Sequence, residues 1–265
     1  MLNAKHFKFR ISNKKNVQIH LIEKESLSST NNTLADLLRM VPDMEEGTVV
    51  RAIEQTAGKG QPGNHWESEP KMNITMSLLL RPDFLSIVDH FYISIAMSLG
   101  ITDYLLSKGI NGVCIKWPND IYVGSKKICG ILIENSIIGH TIDSSIVGIG
   151  LNINQKKFLS DAPNPISLTN ITDKTYDLST EVTLLCNALL RRYAMLANGN
   201  METLRDEYIS RLYRFNEMAD YKLPSTDTIF KAKIIDVAPE GRLIMESDSG
   251  NIMKFAFKEV VFVNS

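Results

Sequence analysis

The stretch from Val113 to Asn154 constrains the fold most. It holds apolar, β-branched runs with very short connections. Val113 to Trp117 comes first. Ile121 to Val123 and Lys127 to Glu134 then flank Gly124-Ser125, and Thr141 to Asn154 follows Gly139. Strands joined by tight turns pair antiparallel, because a parallel pair needs a crossover of about a dozen residues. Glycine at the first central position of Gly124-Ser125 suits a type II′ hairpin turn. These hairpins exclude an alternating βαβ sheet. The reading is α+β: a mixed, mainly antiparallel sheet with helices on one face.

The flanking segments fit that class. Val17 to Ile22 and Thr48 to Ile53 read as strands. Between them, Ser28 and Ser29 offer N-caps for a helix whose buried face is Leu34, Leu37, Leu38 and Val41, closed by Pro42. Ile74, Met76, Leu78 and Leu80 alternate, which predicts a half-buried strand. A long helix is expected over Phe84 to Ser107, with Val88, Phe91, Ile95 and Leu99 on its buried side and Gly109 just past its end. A polar loop with Pro163 and Pro165 precedes two amphipathic helices, at 180–198 and 200–217. Composition changes near Pro224. Short strands are expected from Thr228 to Val263, with turns at Pro239-Glu240-Gly241 and Ser249-Gly250. Such a piece, about 40 residues long, is at the lower limit of independent stability and should pack on the rest. The expected division is 1–220 and 221–265.

Composition sets the outer bounds. With 44% hydrophobic residues among 265, the chain can bury a sizeable core. A net charge of -1 gives no general attraction to nucleic acid or anionic membrane. Cys114, Cys129 and Cys186 are scattered, without metal-ligand spacing; Cys114 and Cys129 lie in apolar stretches and read as core residues. Met1 to Arg10 is polar and basic, with no apolar signal region. The run Ile74 to Leu80 is far short of the ~18 apolar residues of a membrane helix. The expected place is the cytoplasm, away from any membrane.

Gly58-Lys59-Gly60-Gln61-Pro62-Gly63 spells G-x-G-x-x-G. A dinucleotide fingerprint needs a helix directly after it, yet Asn64 to Pro70 is a poor helix start and Pro70 blocks continuation. No Walker A motif is present, since Ile53 stands five before Gly58. The segment reads either as a solvated surface loop or as a mobile loop. A mobile loop could offer backbone N–H groups and Lys59 to phosphate or carboxylate oxygens. Trp66 directly after it can anchor the loop or cover an apolar ligand.

Five segments in register resemble the biotin protein ligases. They are Ser29-Thr30-Asn31, the loop from Gln55 to Trp66, Lys116-Trp117-Pro118-Asn119-Asp120, Lys127-Ile128-Cys129-Gly130-Ile131-Leu132, and Gly148-Ile149-Gly150-Leu151-Asn152. The likeness is good over residues 20 to 155 and looser beyond. The family loop is commonly Gly-Arg-Gly-Arg-Arg-Gly; here Lys59, Gln61 and Pro62 replace its arginines. Lys59 keeps the charge but loses the bidentate fork. About 16 residues precede the first strand, too few for the helix-turn-helix of the DNA-binding members, so no DNA binding is expected.

The resemblance implies a two-step reaction, in which biotin and ATP give biotinyl-5′-AMP and a carrier lysine then takes the biotin. It implies ATP with Mg²⁺, and a biotin carboxyl carrier protein of a biotin-dependent carboxylase as partner. It allows a homodimer. It implies a biotin/lipoate ligase-like catalytic domain with a small C-terminal SH3-like barrel, and Phe255 near the adenylate. It assigns Lys127 and Lys59 to catalysis. Ser29, Thr30, Asn31, Gln55, Gly60, Gln61, Gly130 and Gly150 go to biotin. Gly58, Lys59, Gly63, Trp66, Lys116, Asn119, Asp120, Lys127 and Asn152 go to ATP or the adenylate, and Asn154 is a further candidate for the adenine side. His65 is left unassigned.

Several assignments have a plainer alternative. Ser29 or Thr30 caps a helix, Gln55 makes a strand-end hydrogen bond, Asp120 caps a turn, Trp117 fills the core, and Lys127 is a solvated hairpin lysine. Lys126 is the better candidate for solvation, because strand neighbours point to opposite faces. A lipoate ligase and a non-catalytic biotin or adenylate sensor are the rival functions. The loop closed by Trp66 favours biotin, and Lys59 and Lys127 argue against a sensor.

Overall fold

The computed structural model describes residues 6–10, 16–61, 63–159 and 164–263. Pro62, Pro163 and the first five residues of the basic N-terminus lie outside them.

The main sheet has eight strands. They are β1 (His6–Arg10), β2 (Asn16–Leu27), β3 (Thr48–Gln55), β4 (Ile74–Leu80), β5 (Val113–Lys116), β6 (Asp120–Val123), β7 (Lys126–Ile138) and β8 (Thr141–Leu151), in the order β1-β2-β3-β4-β8-β7-β6-β5. Only β2 with β3 runs parallel, across the helix α1 (Thr30–Met40); the other pairs are antiparallel. Gly124 takes φ 59°, the positive angle that a II′ turn needs at that place, and Gly139 at the next hairpin takes φ 63°.

The helices cover both faces, not one. α2 (Phe91–Ser107) packs on β5, β6 and β7, and α4 (Leu178–Ala197) and α5 (Met201–Ser210) pack behind it. On the opposite face α1 meets β3, β4 and β8 over a smaller core of Leu34, Val50, Leu79 and Ile146. This explains why β4 is buried at all seven positions although its sequence alternates. Ile74, Met76, Leu78 and Leu80 enter the large core; Leu79, and with it Ser77, lies under α1.

Three helix expectations change. The long helix begins at Phe91, after a short 3-10 turn at Ile87–Asp89, and Val88 is exposed. The last helix stops at Ser210, because the chain then pairs with β5: Ile115 N–H donates to Arg211 O and Tyr213 N–H donates to Ile115 O. A short helix, α3 (Leu168–Thr172), stands in the expected loop, with a capping box between Ser167 and Asn170. Cys129 and Cys186 are buried thiols; Cys114 is half-buried, and burial pushes its pKa up to about 11.

The C-terminal part is a five-stranded antiparallel sheet ordered β12-β11-β10-β9-β13, from β9 (Ala219–Leu223) through β10 (Thr228–Val237), β11 (Leu243–Ser247) and β12 (Ile252–Phe255) to β13 (Val261–Phe262). Its first strand starts before Pro224. The sheet shares the large core, and the buried Trp117 donates Nε1–H to Gly241 O at 2.9 Å. No helix among the described residues is long and apolar enough to cross a membrane.

Candidate active site

A cavity of about 340 Å³ lies over β7 and β8, between the start of α1, the glycine loop with Gln55 before it, the Lys116–Asp120 turn, and residues 257, 258 and 260–262. A second cavity of about 430 Å³ adjoins it, sharing Gln61, Trp117, Asn119 and Phe257.

Strand register places the charged end. β5 and β6 pair Lys116 with Asp120 across the turn, where Trp117–Pro118 is cis, and β6 and β7 pair Asp120 with Gly130. Lys127 Nζ lies 2.7 Å from Asp120 Oδ1 and over the Trp66 ring. Lys126 is exposed, as strand alternation requires. Lys116 donates to the Tyr122 hydroxyl at 3.1 Å and lies against the Tyr122 and Phe262 rings. Burial pushes its pKa down to about 8, against the pull of Asp120, with Lys127 and Arg214 adding to the fall.

The glycine loop is a clamped finger. Trp66 N–H donates to Gly58 O and Gly60 N–H donates to Asn64 O, each at 3.0 Å, so these two donors are spent within the loop. A Cβ on Gly58 would lie 2.4 Å from Trp66 O, so glycine is required for the finger to close. Lys59 Nζ donates to Asn32 Oδ1 at 2.5 Å, tying the finger to α1. The Trp66 ring rests on Gly130 and Gly150, which face each other across β7 and β8. A Cβ on Gly150 would lie 2.3 Å from that ring. Here the two glycines make room for Trp66 itself. The indole Nε1–H is buried without a partner among the described residues.

At the α1 end the lining from the helix and Gln55 is polar and neutral. Ser29 is the N-cap of α1, but its side chain makes no cap bond, so the capping alternative fails for it. Thr30 N–H donates to Gln55 Oε1 at 3.0 Å, which is the expected strand-end bond of Gln55. Ser77 lies 2.8 Å from the Thr30 hydroxyl and donates to Asn31 Oδ1 at 2.5 Å.

Of the sequence candidates, Ser29, Thr30, Asn31, Gln55, Lys59, Gly60, Gln61, Trp66, Lys116, Asn119, Asp120, Lys127, Gly130 and Gly150 all line the cavity. Gly58, Gly63 and Asn152 do not. Asn119 also has a structural duty: its Nδ2 donates to Ile131 O, and its carbonyl accepts from Ile131 N–H at 3.0 Å. Asn152 bonds Ile166 O, and its Oδ1 is buried without a partner among the described residues. Asn154 is committed to Tyr176 and Thr169. Phe255 packs on Phe230, and Phe257 lines the cavity instead. Sequence reasoning missed Lys258 and Gly148 in the lining, and Ser77 and Glu134 behind it.

Known proteins share the fold and much of the sequence. The fold is that of a biotin protein ligase from Aquifex aeolicus in complex with biotin and ATP, with a TM-score of 0.76, 23% identity, and coverage of 92% of this chain and 99% of that one. The profile described as "Biotin/lipoate A/B protein ligase family" matches residues 24–152. Bifunctional ligase/repressor BirA of Bacillus subtilis is 30% identical over 239 residues, covering 87% of this chain and 70% of that protein. Biotin--[acetyl-CoA-carboxylase] ligase of Paracoccus denitrificans is 30% identical over 203 residues, covering 72% and 81%. The chain belongs to the biotin protein ligase family.

Proposed function

We propose that this chain is an ATP-dependent biotin protein ligase. The observation that carries the reading is one cavity with two characters. Lys59, Lys116, Lys127 and Lys258 line it, with Lys127 paired to Asp120, the one carboxylate among the described lining residues, while Ser29, Thr30 and Gln55 line it with neutral polar groups. Joining a carboxylate to a nucleoside triphosphate brings two anions together, so cations and N–H donors do the work.

In the first step an oxygen of the biotin carboxylate attacks the α-phosphorus of ATP, and pyrophosphate leaves. Lys127 steadies the charge between the two anions, and Lys116 and Lys59 hold phosphate oxygens. In the second step a carrier lysine amine attacks the mixed anhydride carbon, forming an amide and releasing AMP. The acceptor fits a lysine of a biotin carboxyl carrier domain.

Among the described residues no cluster of three or more His, Cys, Asp or Glu could hold a metal ion. Mg²⁺ would travel on the nucleotide's phosphates and supply counter-charge there, with Asp120 the residue able to reach it.

Mass spectrometry after incubation with Mg-ATP and either biotin or lipoate tests the reading. Biotinyl-5′-AMP with biotin alone is expected. Lipoyl-AMP instead would change the substrate, and no adenylate with either acid would overturn the enzyme.

A further inference from the structure

The segment that joins β12 to β13 is a turn against the cavity. Glu259 N–H donates to Ala256 O at 3.1 Å, which closes a β-turn on Phe257 and Lys258. The Glu259 carboxylate reaches back and accepts the Ala256 N–H at 2.6 Å, so the turn is closed twice. Lys258, its third residue, has φ 69°. That is the left-handed region, which glycine takes without cost and where a side chain crowds its own backbone. For folding alone, lysine is the worse residue at this place.

What lysine adds is the position of its charge. Phe257 and Lys258 both line the cavity of about 340 Å³. Phe257 meets the Trp117 ring edge to face, with centroids 6.3 Å apart, which fixes the turn against the Lys116–Asp120 turn. The Lys258 ammonium lies over the Phe257 ring, 5.9 Å from its centroid. Lys116 and Lys127 enter from the main sheet and are half-buried; Lys258 comes from the C-terminal sheet and is exposed. A triphosphate with its α-phosphorus beside Lys127 has two more phosphates to place. They depart as pyrophosphate, so they belong on the solvent side of the cavity, where the exposed cation is.

We propose that Lys258 binds the β- and γ-phosphates of ATP, so that the C-terminal sheet supplies one wall of the nucleotide site. The inference rests on the ligase reading above and goes beyond it by giving the departing phosphates a cation of their own. The bond changes are those of the first step, and Lys258 gives up no proton in it.

The test uses the left-handed turn. Glycine suits it better than lysine, so Lys258→Gly should leave the melting temperature unchanged or raise it by up to about 4 °C. In the same variant KM for ATP should rise about five- to tenfold, the size of one partly solvated charge-assisted contact, with KM for biotin within about twofold. Lys258→Glu should raise KM for ATP by about tenfold or more, through repulsion. Lys258→Arg keeps the charge and should stay within about twofold of the wild type in KM for ATP. Calorimetry with biotinyl-5′-AMP, which has no β- or γ-phosphate, should give the same affinity in the wild type and in Lys258→Gly. A residue with only a structural part in the turn would leave KM for ATP alone when glycine replaces it. Folded Lys258→Gly and Lys258→Glu enzymes with wild-type KM for ATP would overturn the proposal. So would a loss of affinity for biotinyl-5′-AMP as large as that for ATP. A wild-type enzyme that forms no biotinyl-5′-AMP, seen by mass spectrometry, would overturn the ligase reading itself, and the role of Lys258 with it.

Discussion

At the α1 end of the cavity, Thr30, Asn31, Gln55 and Ser77 are held by hydrogen bonds to one another, with the Glu134 carboxylate behind Asn31. At the other end, Lys116, Asp120 and Lys127 are held by strand register. The α1 end is nearly dry: Thr30, Asn31 and Ser77 are each at most 4% exposed. The charged end is wetter, with Lys127 and Asp120 side chains 27% and 25% exposed. In the dry end the direction of each hydrogen bond matters, because a misdirected donor finds no water to satisfy it. In the wet end the sign and number of charges matter, because solvent screens small errors of place. Substitutions should therefore act through polarity at one end and through charge at the other.

The largest expected effect is at the charged end. Lys127→Ala should cost on the order of a hundred- to thousandfold in adenylate formation, as loss of a charge aimed at the transition state does. Asp120 would lose its partner at 2.7 Å but stays partly solvated, so the melting temperature should move little. Pyrophosphate release assays and thermal melting check the two halves. Wild-type turnover in a folded Lys127→Ala enzyme would remove the distinction between the ends.

Gly148→Ala comes next, at the dry end. The added methyl would press on Asn31 Oδ1, with Ser77 and Glu134 both bound to that amide. A stability loss of about 1–3 kcal/mol is expected, with a rise in KM for biotin and little change for ATP. Equal changes for both substrates would mean that the ends are not separable.

Lys116 gives a smaller effect, visible in a pH profile. Its folded pKa is lowered by burial to about 8, so its charge is present below that pH and lost as pH rises through it. The free-enzyme kcat/KM for ATP should fall above about pH 8, and Lys116→Arg, which stays charged, should flatten the fall. Stability should run the other way. Between about 8 and the ordinary lysine range the unfolded chain holds a proton that the folded one has released, so this residue's cost to folding eases as pH rises. A profile flat through pH 9 in the wild type would set Lys116 apart from the phosphates.

The two ends also differ in how much of them the sequence revealed. Lys116, Asp120 and Lys127 lie in strands joined by short turns, and alternation alone separates Lys127 from Lys126. That end is local, and local patterns are legible. The dry end joins residues far apart in the chain: Asn31 meets Glu134, and Ser77 meets Thr30. Nothing in the alternation of β4 marked Ser77 as buried, because the second face is covered by α1, whose own amphipathic stripe predicts a helix but not its seat. Phe257 replaced Phe255 for a similar reason: the last strands are short, and one slip of two residues keeps the pattern while moving the ring.

Ser29→Ala is expected to have the smallest effect on folding and is the finest probe of the comparison. Loss of an N-cap hydroxyl ordinarily costs about 1 kcal/mol. Here the hydroxyl makes no cap bond and lines the cavity, although it is only 2% exposed. Its removal should therefore change the stability of the free protein by less than about 0.5 kcal/mol, the range of substitutions that break no such feature. Biotin binding, measured by calorimetry, should still weaken about five- to tenfold, because a polar ligand atom would face a methyl group. The opposite pattern, a normal capping loss with unchanged biotin affinity, would return Ser29 to the helix and leave Thr30 and Gln55 as the polar contacts of the dry end.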